Sequence, residues 1–365
     1  MHRQHQNAAI FVSDCEGPIS KNDNAFELSE YFIPDGGYFF SLISKYDDVL
    51  ADVVKKPGYR AGYTLKLITP FLKAYGATNE AVMEYSSKNV LLVQGAREML
   101  QYVRTLMPSF IVSTSYEQYI SSLCSFTGFP YENVYCTALD LDKHRVSEEE
   151  VDELKALREE ISSYPMIEIP EGAKSIHDLS VRGQETIVRL DEVFWKEIPK
   201  KVSGRILEEV KPMGGEKKAK AVLEIVKKLS SRLKNVMYVG DSITDVQAFW
   251  LVKEGGGLTV SFNGNSYAVR GAEVAVLSEN AIVTSILADL FFRFGKGYVM
   301  RVADEWSPSA LERYSVDESL RKALNLFPDA FPKVELINPE NINRLVKESS
   351  VFRRNIRGEA IGKLG

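Results

Sequence analysis

Cysteine is scarce in this chain: three in 365 residues, Cys15, Cys124 and Cys136, an odd number without CxxC spacing. That excludes a disulfide framework and a thiolate zinc or iron–sulfur site, and reads as buried free thiols. A basic excess is also absent, since 45 Lys and Arg face 50 Asp and Glu for a formal charge of −5. Proteins that grip a phosphate backbone cluster positive charge on one face, so nucleic acid is excluded as a main partner. Long apolar runs are missing too. Stretches such as Ile282–Val283 and Leu290–Phe292 are broken by polar or charged residues, well short of the roughly 18 to 20 residues a membrane span needs. The polar start from Met1 to His5 leads into Ala8–Val12, too short for a signal-peptide core, which predicts a cytoplasmic protein. No internal repeat and no low-complexity tract is visible.

What is present is an alternation. Short runs rich in Val, Ile, Tyr and Phe recur at Ala8–Ser13, Phe110–Ser113, Val134–Thr137, Val236–Gly240, Leu258–Phe262 and Val274–Leu277, each of strand length and bounded by polar or turn residues. Between them lie helical patterns such as Ala96–Leu106, with Met99, Leu100, Val103 and Leu106, and Ala219–Leu229, with Val222, Leu223, Val226 and Leu229. Strand alternating with helix predicts an α/β fold, a mostly parallel sheet covered by helices on both faces.

The spacing of the runs divides the chain. A βα unit needs roughly 30 residues, yet 99 positions separate Asp14 from Ser113. The surplus, residues 20–90, carries Phe26, Leu28, Tyr31, Phe32, Phe39, Phe40, Phe71 and Leu72, enough for a helical element of its own. A second surplus, residues 143–204, opens with Ser147 three before Glu150, the form of a capping box. The acidic run Glu148–Glu153 is expected to be the solvated face of that helix. Beyond residue 297 helix starts follow one another without strands: Ser307 before Pro308, Ser315 three before Glu318, Asn338 before Pro339. The sheet core is thus expected in 8–19, 91–142 and 205–297, followed by a helical tail, 298–365.

Chemistry gathers at strand ends. The first run ends in Asp14, Cys15, Glu16, Gly17, Pro18, two carboxylates followed by a sharp turn; alone, such a group also serves as a turn or helix cap. The run Val236–Gly240 ends in Asp241, with Asp245 four residues on. In open α/β sheets the carboxyl edge is where ligands bind. Four converging carboxylates would repel by roughly 3 kcal/mol per pair at about 5 Å and an effective dielectric of about 20, so either a cation is bound there or the two strands are not neighbours. Hard oxygen donors favour Mg²⁺. Ser113, Thr114 and Ser115 follow their strand at what reads as the start of the next helix, a place for an oxyanion or a simple cap. Lys217 and Lys218, after Gly214 and Gly215, open the helix leading to the Asp241 strand and supply either positive charge or plain surface.

Acid pair, hydroxyl, lysine and acid pair in this order resemble the haloacid dehalogenase superfamily of phosphohydrolases, over a Rossmann-like core a little under half of the chain. The resemblance implies Asp14 as nucleophile, Glu16 as acid/base, Ser113 as the second-motif hydroxyl with Thr114 beside it, and Asp241 and Asp245 as the acidic fourth motif. Lys218 is preferred over Lys217 because Lys218-Ala219-Lys220-Ala221-Val222 looks like the family's lysine helix start. Glu16 stands where most members carry Asp, and Pro18 where most carry a small hydroxyl residue; D-x-E-G nonetheless occurs in enolase-phosphatase-like and some phosphoserine-phosphatase-like members. The 20–90 surplus is similar to the C1 cap of the phosphoserine-phosphatase-like branch, and Ser261–Tyr267 to its fifth-strand segment, which makes Asn263 either a phosphate contact or a turn residue. The resemblance extends to archaeal members. It implies a phosphomonoesterase that acts on a small phosphorylated metabolite through an aspartyl-phosphate, with Mg²⁺ held by Asp14, Glu16, Asp241 and Asp245. The tail is expected to serve for oligomerisation. The alternative is a non-catalytic accessory protein of the same fold, of the kind named as hydrogenase-associated.

Overall fold

The computed structural model describes residues 9–326, 330–362 and 364; Ala8 and the polar start at Met1 lie outside them. The six apolar runs form β1 (Ile10–Ser13), β2 (Ser109–Tyr116), β3 (Val134–Thr137), β4 (Val236–Gly240), β5 (Leu258–Phe262) and β6 (Val274–Leu277), and the tail adds β7 (Lys333–Leu336). The sheet runs in the order β3-β2-β1-β4-β5-β6-β7, parallel throughout except for β7. Successive side chains alternate between faces. Ile10 and Val12 point with Val236 and Tyr238 into a cluster covered by Ala221, Val222 and Ile225 of the helix Glu216–Lys228. Phe11 points the other way with Ile111, Met237 and Val239, toward Met99, Leu100 and Val103 of the helix Ala96–Leu106 and toward the helix Ile282–Phe294. Burial on both faces is why these strands read as unbroken apolar runs. No helix among the described residues is long and apolar enough to cross a membrane.

Four features differ from the sequence reading. First, β2 continues through Tyr116 and the next helix begins only at Glu117, so Ser113, Thr114 and Ser115 lie in the strand and not at a helix start. Second, the tail is not wholly helical, because β7 pairs antiparallel with β6 through Val276 and Val334 and places the helix Ile342–Arg357 after it. Third, the two surplus stretches share one apolar cluster that includes Phe39, Ile43 and Phe71 from the first and Leu154, Leu190 and Phe194 from the second. The Tyr46 hydroxyl donates to Asp191 at 2.6 Å and accepts from the Trp195 indole at 2.8 Å, locking one stretch to the other. Each insert buries the other's apolar stripe, which neither covers alone. Fourth, Glu150 is buried. Its carboxylate accepts from the backbone N–H groups of Val202 (3.2 Å) and Ser203 (2.7 Å), capping the helix Val202–Glu209.

Candidate active site

The order of strands reverses about β1, which has β2 on one side and β4 on the other, and the crevice at such a switch point is where open α/β sheets hold ligands. Pairing of Ser13 with Val239 sets Asp14 and Asp241 side by side just beyond the two strand ends, and the Asp14 N–H extends the ladder to the Val239 carbonyl at 2.8 Å. The turn that follows closes against Asp241 at Gly17, whose φ is +103° and where a Cβ would overlap the Asp241 carboxylate. Only glycine accepts both the backbone angle and the contact. One ligand oxygen from each of Asp14, Asp241 and Asp245 lies within 4.8 Å of the others, all three residues being buried.

Lys218 is fully buried on the first turn of its helix. Its ammonium donates to Asp14 Oδ2 at 2.5 Å and to Asp245 Oδ1 at 2.8 Å. The neighbouring Lys217 turns away to the Lys211 carbonyl at 2.9 Å. Asp245 also accepts from the Tyr238 hydroxyl at 2.7 Å and from the N–H groups of Asp241 (3.0 Å) and Ser242 (3.1 Å). Both of its oxygens are therefore in use, and its main effect is to hold Lys218 and the Asp241 loop. Burial drives the Asp14 carboxyl up, to about 8; Lys218 pulls it down while Asp245 and Asp241 push it up. Burial also works against the Lys218 charge, but Asp14 and Asp245 outweigh it and raise its pKa.

The charges that reconcile the acids to one another come partly from a segment that carries no motif of the site. On the helix Ile342–Arg357 the positions Leu345, Ser349, Arg353 and Arg357 follow at i+4 spacing and form one stripe. Leu345 packs with Val269, Ala275 and Leu277, and the Ser349 hydroxyl donates to the Gly264 carbonyl at 2.6 Å. This lays the helix along the ligand edge of the sheet. Arg353 then donates through Nη1 to Asp241 Oδ2, and Arg357 reaches the same oxygen at 3.3 Å. Arg357 is further tied to the carbonyls of Lys21 and Asn22. The signal available in the sequence was an arginine pair continuing the buried stripe of an amphipathic helix.

Glu16 turns from Asp14 toward the inserted helices, where its carboxylate accepts the Asn24 N–H at 2.7 Å. Burial holds its pKa well above the ordinary carboxyl range, with Asp23 adding to the rise and Arg357, the Asn24 N–H and Ser115 opposing it. Thr114 donates to the Thr244 hydroxyl at 3.4 Å. Ser113 is buried and bonds locally with Ser115, donating to its hydroxyl at 3.1 Å. Asn263, at φ +47°, spends both ends of its amide on Ser278 (2.7 and 3.0 Å), so it ties β5 to β6. A cavity of about 100 Å³ lies between the sheet edge and the inserted helices; Asp14, Glu16, Thr114, Asp241, Arg353 and Arg357 line it from the core and tail, and Asp47 and Asp48 from the helical side. Asn263, Ser113 and Lys218 are not among the described residues that line it.

These donors suit a hard divalent cation: they are carboxylate oxygens, buried and close together. Around the cavity the carboxyl groups of Asp14, Glu16, Asp23, Asp241 and Asp245, with Asp47 and Asp48 on the helical side, outnumber the cations Lys218, Arg353 and Arg357. The four-acid repulsion expected from the sequence is thus answered in part by the chain itself.

No protein-family description matches the sequence, and no curated protein matches it. Among solved structures, phosphoserine phosphatase is a distant likeness. Its substrate-bound complex aligns with a TM-score of 0.44 at 13% identity, over 77% of this chain and 97% of that one. A phospho-aspartyl intermediate analogue of that enzyme aligns at 0.43 and 12%, over 77% and 98%. The gene product AF1437 from Archaeoglobus fulgidus aligns with a TM-score of 0.78 at 28% identity, over 98% of this chain and 99% of that one. The layout of sheet, inserts and tail is therefore shared, end to end, with an archaeal protein.

Proposed function

We propose that the protein is a Mg²⁺-dependent phosphomonoesterase of the haloacid dehalogenase type, acting on a small phosphorylated metabolite. The observation that carries this reading is Lys218, buried and bridging Asp14 and Asp245 beside Asp241 at the switch point of the sheet. In the first step an Asp14 oxygen bonds to phosphorus in line, the ester P–O bond breaks, and Glu16 gives its proton to the departing alkoxide. In the second, Glu16 takes a proton from water as the water oxygen bonds to phosphorus, releasing phosphate and restoring the Asp14 carboxylate. A divalent cation held by Asp14, the Glu16 carbonyl and Asp241 would supply positive charge to the phosphoryl oxygens. Lys218 donates to Asp14 and favours its ionised, attacking form against the burial that raises its pKa, and Asp245 supports from behind by fixing Lys218. Thr114 offers a hydroxyl from the cavity wall, Ser113 braces that segment, and Asn263 fixes the neighbouring strand ends. The inserted helices exclude water from the cavity and select the leaving group.

The test is hydrolysis of p-nitrophenyl phosphate with Mg²⁺, which chelator and Asp14→Asn should each abolish, because the amide is neither nucleophile nor anionic ligand. A second reading, a non-catalytic accessory protein of this fold, draws support from Arg353 and Arg357, which occupy Asp241 as a cation would. Equal residual rates in wild type and Asp14→Asn would favour it.

A further inference from the structure

Arg353 does more than neutralise Asp241, as its unused donors indicate. A guanidinium carries five N–H donors in a rigid fork that matches two oxygens of a carboxylate or phosphate. Arg353 meets Asp241 end-on, through Nη1 alone, with a longer contact of 3.4 Å from the same nitrogen to the Asp241 carbonyl. Its Nε is buried without a partner, and Nη2 finds no acceptor among the described residues. The side chain is 4% exposed, and Nε, being buried, lacks water as well as a protein acceptor. Arg357 has no such surplus, since the Lys21 and Asn22 carbonyls take its Nε and Nη2. The oxygen that Arg353 touches belongs to a carboxylate whose ligand atom is within 4.8 Å of that of Asp14, and Arg353 lines the same cavity as Asp14. A phosphoryl group on Asp14 is therefore within reach of the guanidinium.

We propose that Arg353 is an anion-binding residue of this site, taking oxygens of the substrate's phosphoryl group on its unused Nε–Nη2 edge while Arg357 and Asp241 hold the guanidinium in place. The C-terminal helix is then a wall of the active site and not an appendage. Arginine suits the task better than lysine because the planar fork fixes direction as well as charge. The proposal rests on the phosphatase reading for the identity of the anion, and on the free guanidinium edge for the residue.

The experiment titrates inorganic phosphate into the full-length protein by calorimetry in Mg²⁺ buffer, for wild type, Arg353→Gln and Arg353→Lys, beside p-nitrophenyl phosphate hydrolysis by wild type. Arg353→Lys keeps a positive charge for Asp241, so a folded variant without the fork is available if Arg353→Gln fails to fold. Loss of one or two charge-assisted hydrogen bonds should weaken phosphate binding by about 10- to 100-fold in Arg353→Gln and by about 10-fold in Arg353→Lys. Unchanged phosphate affinity in a folded Arg353 variant overturns the proposal, and the phosphatase reading stands if wild type hydrolyses the ester. Arg353-dependent phosphate binding by a wild type that hydrolyses nothing supports the proposal and sinks the phosphatase reading. Wild type that binds no phosphate overturns the proposal.

Discussion

Removing Asp241 should destabilise the protein even where no metal is present, which is the reverse of what a cluster of acids alone would do. If the site held only carboxylates, deleting one would relieve repulsion and raise the melting temperature. In the folded chain Asp241 is 2% exposed and takes Arg353 and Arg357 on one oxygen, each guanidinium side chain being 4% exposed. Asp241→Ala leaves Arg353 buried with its carboxylate partner gone and takes from Arg357 a contact of 3.3 Å. Breaking a buried pair by deleting one member costs about 3–5 kcal/mol. Asp23 and Glu16 also face Arg357 and retain part of the attraction, which puts the effect at the lower end, about 3 kcal/mol. With an unfolding entropy of about 2.1 cal/mol/K per residue, the 365-residue chain has roughly 0.8 kcal/mol/K, so the melting temperature should fall by about 4 °C.

The measurement is scanning calorimetry in chelator at neutral pH for wild type, Asp241→Ala, Arg353→Met and the double variant. Because the two residues touch, their effects should not add, and the double variant should melt above the sum of the single losses. A melting temperature of Asp241→Ala equal to or above wild type would refute the reasoning, since it would mean that acid–acid repulsion outweighs the arginine contacts.

Three further outcomes follow from the geometry. Glu16→Gln should slow hydrolysis of an alkyl phosphate by about 10² to 10⁴, and that of p-nitrophenyl phosphate by less, because only the alkoxide needs a proton as it departs; steady-state rates on both esters decide it, and equal losses would confine Glu16 to the second step. Asp47, which burial and then Asp48 push up to about 7, keeps a proton in the folded chain that the unfolded chain sheds near pH 4, so its contribution is present at low pH and is lost as pH rises toward 7. Melting temperatures from pH 4 to 8 should accordingly fall more steeply for wild type than for Asp47→Asn, and parallel curves would remove Asp47 as the cause. Gly17→Ala has no room beside Asp241 and demands a left-handed backbone, so it should lower the melting temperature and impair hydrolysis together; wild-type behaviour in both assays would show that the turn can shift.

How far the site could be read in advance depended on whether each residue's meaning was local. The strands were legible because a parallel sheet buried on both faces needs unbroken Val, Ile and Phe, and runs such as Val236–Gly240 carry that requirement in themselves. Asp14 and Asp241 were legible for the same reason, since an acid directly after such a run must stand at the carboxyl edge. Lys218 was preferred over Lys217 only through the resemblance of its segment to a family pattern, with Lys217 left as the alternative; in the folded chain Lys218 lies buried between two acids and Lys217 turns to the Lys211 carbonyl. The merging of the two inserts was not legible, because Phe71 and Phe194 each look like an ordinary core residue and nothing in either segment specifies its partner. Arg353 shows the limit most sharply. Its helical phase was visible, four residues after Ser349 and eight after Leu345, but a positive charge on a buried stripe acquires meaning only from the carboxylate it meets, 112 residues earlier in the chain. Charges summed over sequence neighbours include the acids and miss the tail's arginines, which places the whole burden of neutrality on a metal. With Arg353 and Arg357 included, part of that burden is carried by the chain itself, and Asp241 is the carboxylate on which the tail's guanidinium and the proposed cation would compete. Replacing Arg353 by Gln should for that reason tighten Mg²⁺ binding in the absence of phosphate, and a titration that finds the affinity unchanged would show that the cation and the guanidinium use different oxygens of Asp241.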